Sequence, residues 1–394
     1  MNRRTWIGQT GAAVAATTLG ARGLGARPAA PQGRVADPDI ERWMRQAFVP
    51  GLAMARVTVS GVETRGFGVR TRDGGQVVNG DTIFAAASLS KPVFAWVVLS
   101  LVDDGLLALE RPLHDYVPVP NADDERSRLV TARHVLSHYG GWRNWRNNVA
   151  TRLVADFEPG SRFGYSGEGY FHLQRVVEKL TGRSLSLLAR ERVFEPLGLR
   201  STSFATLPGL EDRRAAGHTN RGDPARDFGA MIRPALARKA QERGVTVEAL
   251  MIGDSEAALR EADPNLPVLP NFLQPNAAAS MTTTASDFGR FLQHLLRVHG
   301  TASPAAAIVE RMLRPQVRIS TELHWGLGTG LEVSNGRTVA WHWGDNPGFK
   351  NFYILDPQAR SAIVVFTSGD GGQGVYERVI RAETGQDRAA FLFL

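Results

Sequence analysis

Strand-like stretches of this chain sit at its two ends and helical ones fill the middle, so any sheet it forms has to join its beginning to its end. Leu52–Ser60 and Val62–Arg70 alternate apolar and polar side chains around Gly61, the pattern of a hairpin. Asp73-Gly74-Gly75 and Asn79-Gly80 then mark turns. Near the other end, 323–332, 337–343, 350–356 and 361–368 are four further strand candidates. A helix near 373–384 and the apolar tail Phe391-Leu392-Phe393-Leu394 follow them. Between the ends, helical spacing runs from Ser88 to Leu109, from Gly169 to Leu180 (closed by Gly182), from Ser184 to Val193 and from Ala285 to Val298. Thr131 is a good N-cap for a helix carrying Val135 and Leu136. Residues 205–270 are rich in Pro, Arg and Asp, with helix-like pieces around 229–243 and 245–262, and read as a surface insertion. The expected fold is α+β: a central antiparallel sheet of N- and C-terminal strands, flanked by helices, with a mostly helical middle. The sheet part takes about 40–90 and 280–385, and the helical part about 91–279.

Charge and cysteine content narrow the function. The net charge of +7 includes Arg3, Arg4, Arg22 and Arg27, and removing those four leaves +3. The remaining basic residues are interleaved with acids and form no stripe, which argues against nucleic-acid binding. With no cysteine, thiol nucleophiles, iron–sulfur centres and thiolate zinc sites are all excluded. Residues 1–30 read as an export signal. Arg3-Arg4-Thr5-Trp6-Ile7 is similar to the bacterial twin-arginine pattern, and the Gly/Ala/Thr-rich stretch behind it is too weakly apolar to span a bilayer. No later segment is long and apolar enough for a stable membrane span; the twin-arginine-type signal is what makes a periplasmic or secreted protein the expectation.

The chemistry starts at Ser88. Ser88-Leu89-Ser90-Lys91 places a hydroxyl and an amine three residues apart at the opening of the long helix, where they share a face. A helix start also offers free N–H groups and the positive dipole end to a developing negative charge. Lys91 lies between Ile83-Phe84-Ala85-Ala86-Ala87 and Val93-Phe94-Ala95-Trp96, apolar surroundings that depress an amine's pKa. A second piece is Tyr165 in Phe163-Gly164-Tyr165-Ser166-Gly167, a Gly/Ser-rich loop entering a helix. The third is Trp341-His342-Trp343-Gly344-Asp345-Asn346-Pro347-Gly348, a strand ending in a glycine that lets a backbone or ligand come close.

In this order the three pieces resemble the serine β-lactamases of class C type and the DD-peptidases and esterases that share their fold, with Ser-x-x-Lys, then Tyr-x-Asn, then Lys-Thr-Gly or His-x-Gly. Leu136-Ser137-His138-Tyr139-Gly140-Gly141, Phe194-Glu195-Pro196-Leu197-Gly198-Leu199 and the segment around Ser280-Met281-Thr282-Thr283-Thr284 fit as well. The resemblance implies a β-lactamase/transpeptidase-like catalytic domain over 37–385 without a cofactor or metal, acting on a small-molecule or peptide substrate. It implies that Ser88 is acylated, that Lys91 and Tyr165 share a proton, and that the backbone N–H groups of Ser88 and Asp345 form an oxyanion hole. Which of Lys91 and Tyr165 is the acylation base stays open, because a coupled pair titrates as a unit. His342 would hydrogen-bond a substrate carboxylate or the Tyr165 side of the network. Trp142, Trp145, Trp343, Gly167 and Gly344 are candidates for the substrate pocket. Two departures matter: Gly167 stands where β-lactamases hold the substrate's amide with an asparagine, and His342 stands where many relatives have lysine. Both reduce recognition of acylamino-carboxylate antibiotics, so an esterase or D-amino-acid peptidase is expected ahead of a class C-type β-lactamase, with a penicillin-binding or sensor module that never turns over as the further alternative.

Other hydrolase classes fit poorly. His134-x-x-x-His138 has zinc-ligand spacing, but Val135 occupies the place of the general-base glutamate. No Gly-x-Ser-x-Gly nucleophile elbow occurs, since Gly164-Tyr165-Ser166-Gly167-Glu168 fails at its last position.

Overall fold

The computed structural model describes residues 33–120 and 124–394. The twin-arginine reading of residues 1–30 therefore lies outside the described residues. Eight strands form one antiparallel sheet: β1 (Gly51–Thr58), β2 (Val62–Gly68), β5 (Val317–Arg318), β6 (Leu323–Trp325), β7 (Gly330–Ser334), β8 (Arg337–Asn346), β9 (Phe349–Asp356) and β10 (Ser361–Thr367). Their order is β2-β1-β10-β9-β8-β7-β6-β5, so the N-terminal hairpin docks on the last strand, with Leu52 opposite Thr367 and Thr58 opposite Ser361. The remaining two strands, β3 (Ile83–Ala85) and β4 (Thr282–Thr284), pair apart from the main sheet.

Strand alternation divides the core. Leu52, Met54, Phe352, Ile354 and Val365 face the helices Asp37–Gln46 and Gly372–Thr384, whose Ile40, Met44, Val375 and Val379 cover them. Ala53, Ala55, Tyr353, Leu355, Val364 and Phe366 face the other way, into a larger core with Phe288 and Leu292 of the Ala285–Val298 helix. The Ser90–Asp103 helix lies inside that core, apolar on nearly every face, as a fully enclosed helix has to be. Each fully buried Leu, Val or Phe contributes about 1.5–3 kcal/mol, so burial holds this helix in place.

Local signals set the element ends. Thr131 caps its helix by accepting from the His134 N–H at 3.2 Å, and Gly182 closes Gly167–Thr181 in the left-handed region at φ 66°. Three expectations need correction. The candidate strand 323–332 is two strands, because Gly326 sits against the Met312 carbonyl and Gly328 turns at φ 87°. The strand expected at 337–343 runs on to Asn346. Within 245–262 the helix begins only at Ile252, where Asp254 accepts the Met251 N–H at 3.1 Å. The 205–270 segment carries a small core of its own, with Ile232, Leu236, Leu250, Ile252 and Leu259 packed around Phe171. Its 206–233 stretch also forms a wall of the main cleft.

Candidate active site

A cleft of about 820 Å³ opens between the sheet and the 206–233 wall, and Ser88, Lys91, Tyr165, Trp343 and Asp345 all line it. Ser88 is delivered by β3 and the single turn Ala87–Leu89. Ala87, immediately before it, is a buried non-glycine residue at φ 52°. Such left-handed backbone costs about 1–2 kcal/mol and survives only where the surroundings over-determine it. Here they do. The Ala86 N–H donates to the Met281 carbonyl at 2.8 Å, and the Asn351 amide donates to the Ala85 carbonyl at 2.9 Å. The Ser90 hydroxyl donates to the Ala87 carbonyl at 2.6 Å and accepts the Met281 N–H at 3.1 Å.

Lys91 is fully buried, with Nζ 3.0 Å from Ser88 Oγ and 2.8 Å from the Ala278 carbonyl. The amine also lies over the Tyr165 and Tyr170 rings, at 4.8 and 5.4 Å from their centroids, and no carboxylate pairs with it among the described residues. Burial without a counter-charge pushes its pKa well below the usual lysine value. Burial thus shifts the balance toward the neutral amine beside the Ser88 hydroxyl.

An ammonium beside a phenol would lower the phenol's pKa. Instead, burial pushes the phenol up, with the Ser88 hydroxyl pulling weakly the other way. The Tyr165 hydroxyl is covered and has no hydrogen-bond partner. Tyr165 is held from behind by His138, whose ring lies 4.1 Å away, and by Trp343 at 4.7 Å. His138 accepts the Ser166 N–H on Nδ1 at 3.0 Å, so its own proton sits on Nε2.

His342 does not reach the substrate side. It is fully buried, its Nδ1 donates to the Trp343 carbonyl at 2.6 Å, and its ring packs on Trp325 at 5.2 Å. Burial drops its pKa to about 3, so it is neutral and lies behind Tyr165. A direct contact with a substrate carboxylate is therefore corrected to a place in the layer beneath.

The pocket candidates divide. Trp343 and Trp145 line the cleft; Trp142 does not, because its ring is buried and its Nε1 donates to Ser127 Oγ at 2.9 Å. Gly167 is also covered: a Cβ there would meet the Trp145 ring at 2.2 Å. Gly344 serves a backbone approach, since a Cβ would strike the Ala86 carbonyl at 2.4 Å just ahead of the Ser88 turn. Asp345 lies one step in from Asn346 and Phe349, which close the two-residue Pro347-Gly348 turn. Bonded and unbonded pairs alternate along an antiparallel ladder, so Asp345 turns its N–H away from β9.

Sequence reading missed Ser90, Asn351 and Asn144. Asn144 lines the cleft and accepts the Gly167 N–H at 2.8 Å, while neighbouring Arg146 pairs with Glu168 at 2.8 Å in a buried contact. Together these fasten the loop carrying Trp145 to the helix that follows Tyr165. No local pattern marks such residues, because their partners are distant in sequence.

The arrangement is that of a serine hydrolase of the β-lactamase/transpeptidase fold. The β-lactamase family model matches residues 37–386, and the chain belongs to that family. It is 32% identical over 185 residues to "Penicillin-binding protein 4" of Amycolatopsis lactamdurans, covering 43% of this chain and 49% of that protein. It is 32% identical over 171 residues to "Esterase EstB" of Burkholderia gladioli, covering 36% of this chain and 43% of that protein. The matches thus span less than half the length of these curated relatives. Among solved structures, the D-alanine carboxypeptidase AmpC from Burkholderia cenocepacia superposes with TM-score 0.68 at 20% identity, over 88% of this chain and 97% of that one. A class C β-lactamase from Rhodobacter sphaeroides gives 0.67 at 18%, over 88% and 97%. At these identities the likeness to the solved structures is one of fold. No helix among the described residues is long and apolar enough to cross a membrane.

Proposed function

We propose that this chain is an exported serine hydrolase that cleaves a carboxylic ester or amide through an acyl-enzyme on Ser88. The observation that carries the reading is the 3.0 Å approach of Ser88 Oγ to a buried amine without a counter-charge. Ser88 Oγ attacks the carbonyl carbon and passes its proton to neutral Lys91. The tetrahedral oxyanion is met by the N–H groups of Ser88 and Asp345. The Tyr165 phenol, kept protonated by burial, gives its proton to the leaving group and regains one from Lys91. Water then attacks the acyl carbonyl, Lys91 takes its proton and returns it to Ser88 Oγ as the acyl–Oγ bond breaks, which frees the acid and restores neutral Lys91.

The filled space beside Gly167 favours the ester side. Trp145 stands where an amide side chain would reach an acylamino group. Losing such a contact costs about 1–3 kcal/mol, or roughly 5–150-fold. The mature protein should hydrolyse short-chain aryl esters with higher kcat/KM than a chromogenic cephalosporin, and Ser88→Ala should abolish both. A cephalosporin value equal to or above the ester value would restore the β-lactamase reading. An acyl adduct that forms and persists would instead mark a penicillin-binding module without turnover. Export rests on Arg3-Arg4, whose guanidinium pair a twin-arginine receptor reads. Replacing both by lysine should hold the precursor in the cytoplasm, and undiminished delivery to the periplasm would remove this part of the reading.

A further inference from the structure

The cleft wall opposite Ser88 carries a cation that the fold leaves unanswered. Arg214 lines the cleft and is half-buried, yet its guanidinium has no ion pair or hydrogen bond among the described residues. Neighbouring charges act on it from both sides, Arg233 against its charged form and Asp227 and Glu211 in favour of it. Asp227, however, is committed to Arg233, whose Nη2 lies 2.8 Å away, and Glu211 forms no pair with Arg214. A half-buried guanidinium with no direct partner gains more from an arriving carboxylate than a fully hydrated one does. The backbone beneath it is fixed. Arg214 bridges to Ile83 of β3, and the next N–H, that of Ala215, donates to the Ile83 carbonyl at 2.9 Å. The same strand leads directly to Ser88. A few residues on, Gly217 packs against the Pro347-Gly348 turn that follows Asp345. The wall carrying Arg214 is thus anchored to both the nucleophile strand and the proposed oxyanion strand.

We propose that Arg214 is a substrate-anchoring residue, and that the ester or amide cleaved at Ser88 bears a carboxylate that this guanidinium binds across the cleft. The inference rests on the Ser88 hydrolase reading and adds the substrate's charge to it. A guanidinium suits a carboxylate because its planar fork can give two parallel N–H bonds.

Three aryl esters test it: neutral p-nitrophenyl butyrate, mono-p-nitrophenyl glutarate (carboxylate on the acyl part) and 3-carboxy-4-nitrophenyl butyrate (carboxylate on the leaving group). Wild-type protein should prefer at least one carboxylated ester. Arg214→Gln should lower the carboxylated-to-neutral ratio of kcat/KM by roughly 10–100-fold, mainly through KM, with Arg214→Lys restoring part of it. Which arm responds tells which side of the scissile bond faces Arg214. A ratio unchanged in both arms overturns the proposal. Should Arg214→Gln fail to fold, the wild-type preference still has to weaken as salt is raised, and a salt-independent ratio overturns the proposal too. Ester turnover that survives Ser88→Ala would sink the hydrolase reading itself. Turnover through Ser88 with no charge preference would sink only the role of Arg214.

Discussion

The two walls of the cleft are built differently. On the sheet side, Ser88, Ser90, Lys91 and Asn351 are all buried, and the last three bond backbone groups that lie far away in the sequence. The opposite wall, from about 206 to 270, rests on a small core around Ile232, Leu236 and Leu259 and on partly exposed ion pairs such as Arg233–Asp227, Lys239–Glu261 and Arg243–Asp254. Exposed pairs of this kind contribute about 0–1 kcal/mol each, whereas a buried network fixes every member. The first wall holds the reacting groups through buried hydrogen bonds. The second can change its residues without moving them, which suits a surface that selects substrate.

The comparison can be broken first at Lys91. Lys91→Met should lower kcat/KM for a neutral ester by about 10²–10⁴-fold, the usual worth of a general base. The same variant should not lower the thermal midpoint, because it removes a buried amine without a counter-charge. Calorimetry and ester kinetics on one preparation check both, and a loss of stability that parallels the loss of activity would mean that Lys91 is structural. On the other wall, Leu236→Ala should cost about 2–5 kcal/mol in denaturant unfolding, since the side chain is enclosed in the small core. Its kcat on a small neutral ester should stay within about threefold, because nothing it touches holds Ser88 or Lys91. A kcat loss comparable to that of Lys91→Met would erase the distinction between the walls.

Acid titration sharpens the same contrast. Burial lowers His138 well below its usual value and takes His172 and His342 to about 3, so the fold disfavours the charged form of all three. Unfolding exposes them, and below about pH 6.5 the unfolded state takes up three protons that the native state refuses. Glu178, pushed up to about 7 by burial, holds one proton in the native state that the unfolded state gives up above its ordinary value of 4.5. The net difference of two protons makes these four groups reduce stability by up to about 2.7 kcal/mol per pH unit as pH falls from about 6.5 towards 4.5. Denaturant unfolding at several pH values measures the slope. His172→Gln should flatten it by about a third to a half, and a slope indifferent to that change would contradict the assignment.

Legibility in the sequence follows how local each signal is. The Leu52–Ser60 and Val62–Arg70 hairpin, the last two strands and the Thr131 cap are set by residues within a few positions of one another, and the structure has them. Ser88 and Lys91 share a helical turn, so their contact could be foreseen from spacing. The pairing of Ile83–Ala85 with Thr282–Thr284 could not, because three-residue strands carry too short an alternation and their partners lie in distant parts of the chain. Two tryptophans three positions apart, Trp142 and Trp145, have opposite fates. One found a buried hydroxyl at Ser127 for its ring N–H and entered the core; the other fills the space beside Gly167. His342 illustrates the same limit: its strand was recognisable, but the aromatic layer that buries it comes from Trp325 and Tyr165, each on a different element.

Covalent chemistry at Ser88 is the central claim, and intact-protein mass spectrometry tests it most directly. The protein would be mixed with a slowly turned-over aryl ester, quenched at intervals and digested for peptide mapping. One acyl mass should appear on the peptide containing Ser88, decay as substrate is exhausted, and be absent from Ser88→Ala. Continued ester turnover with no adduct on Ser88, or with the adduct on another residue, would contradict the account.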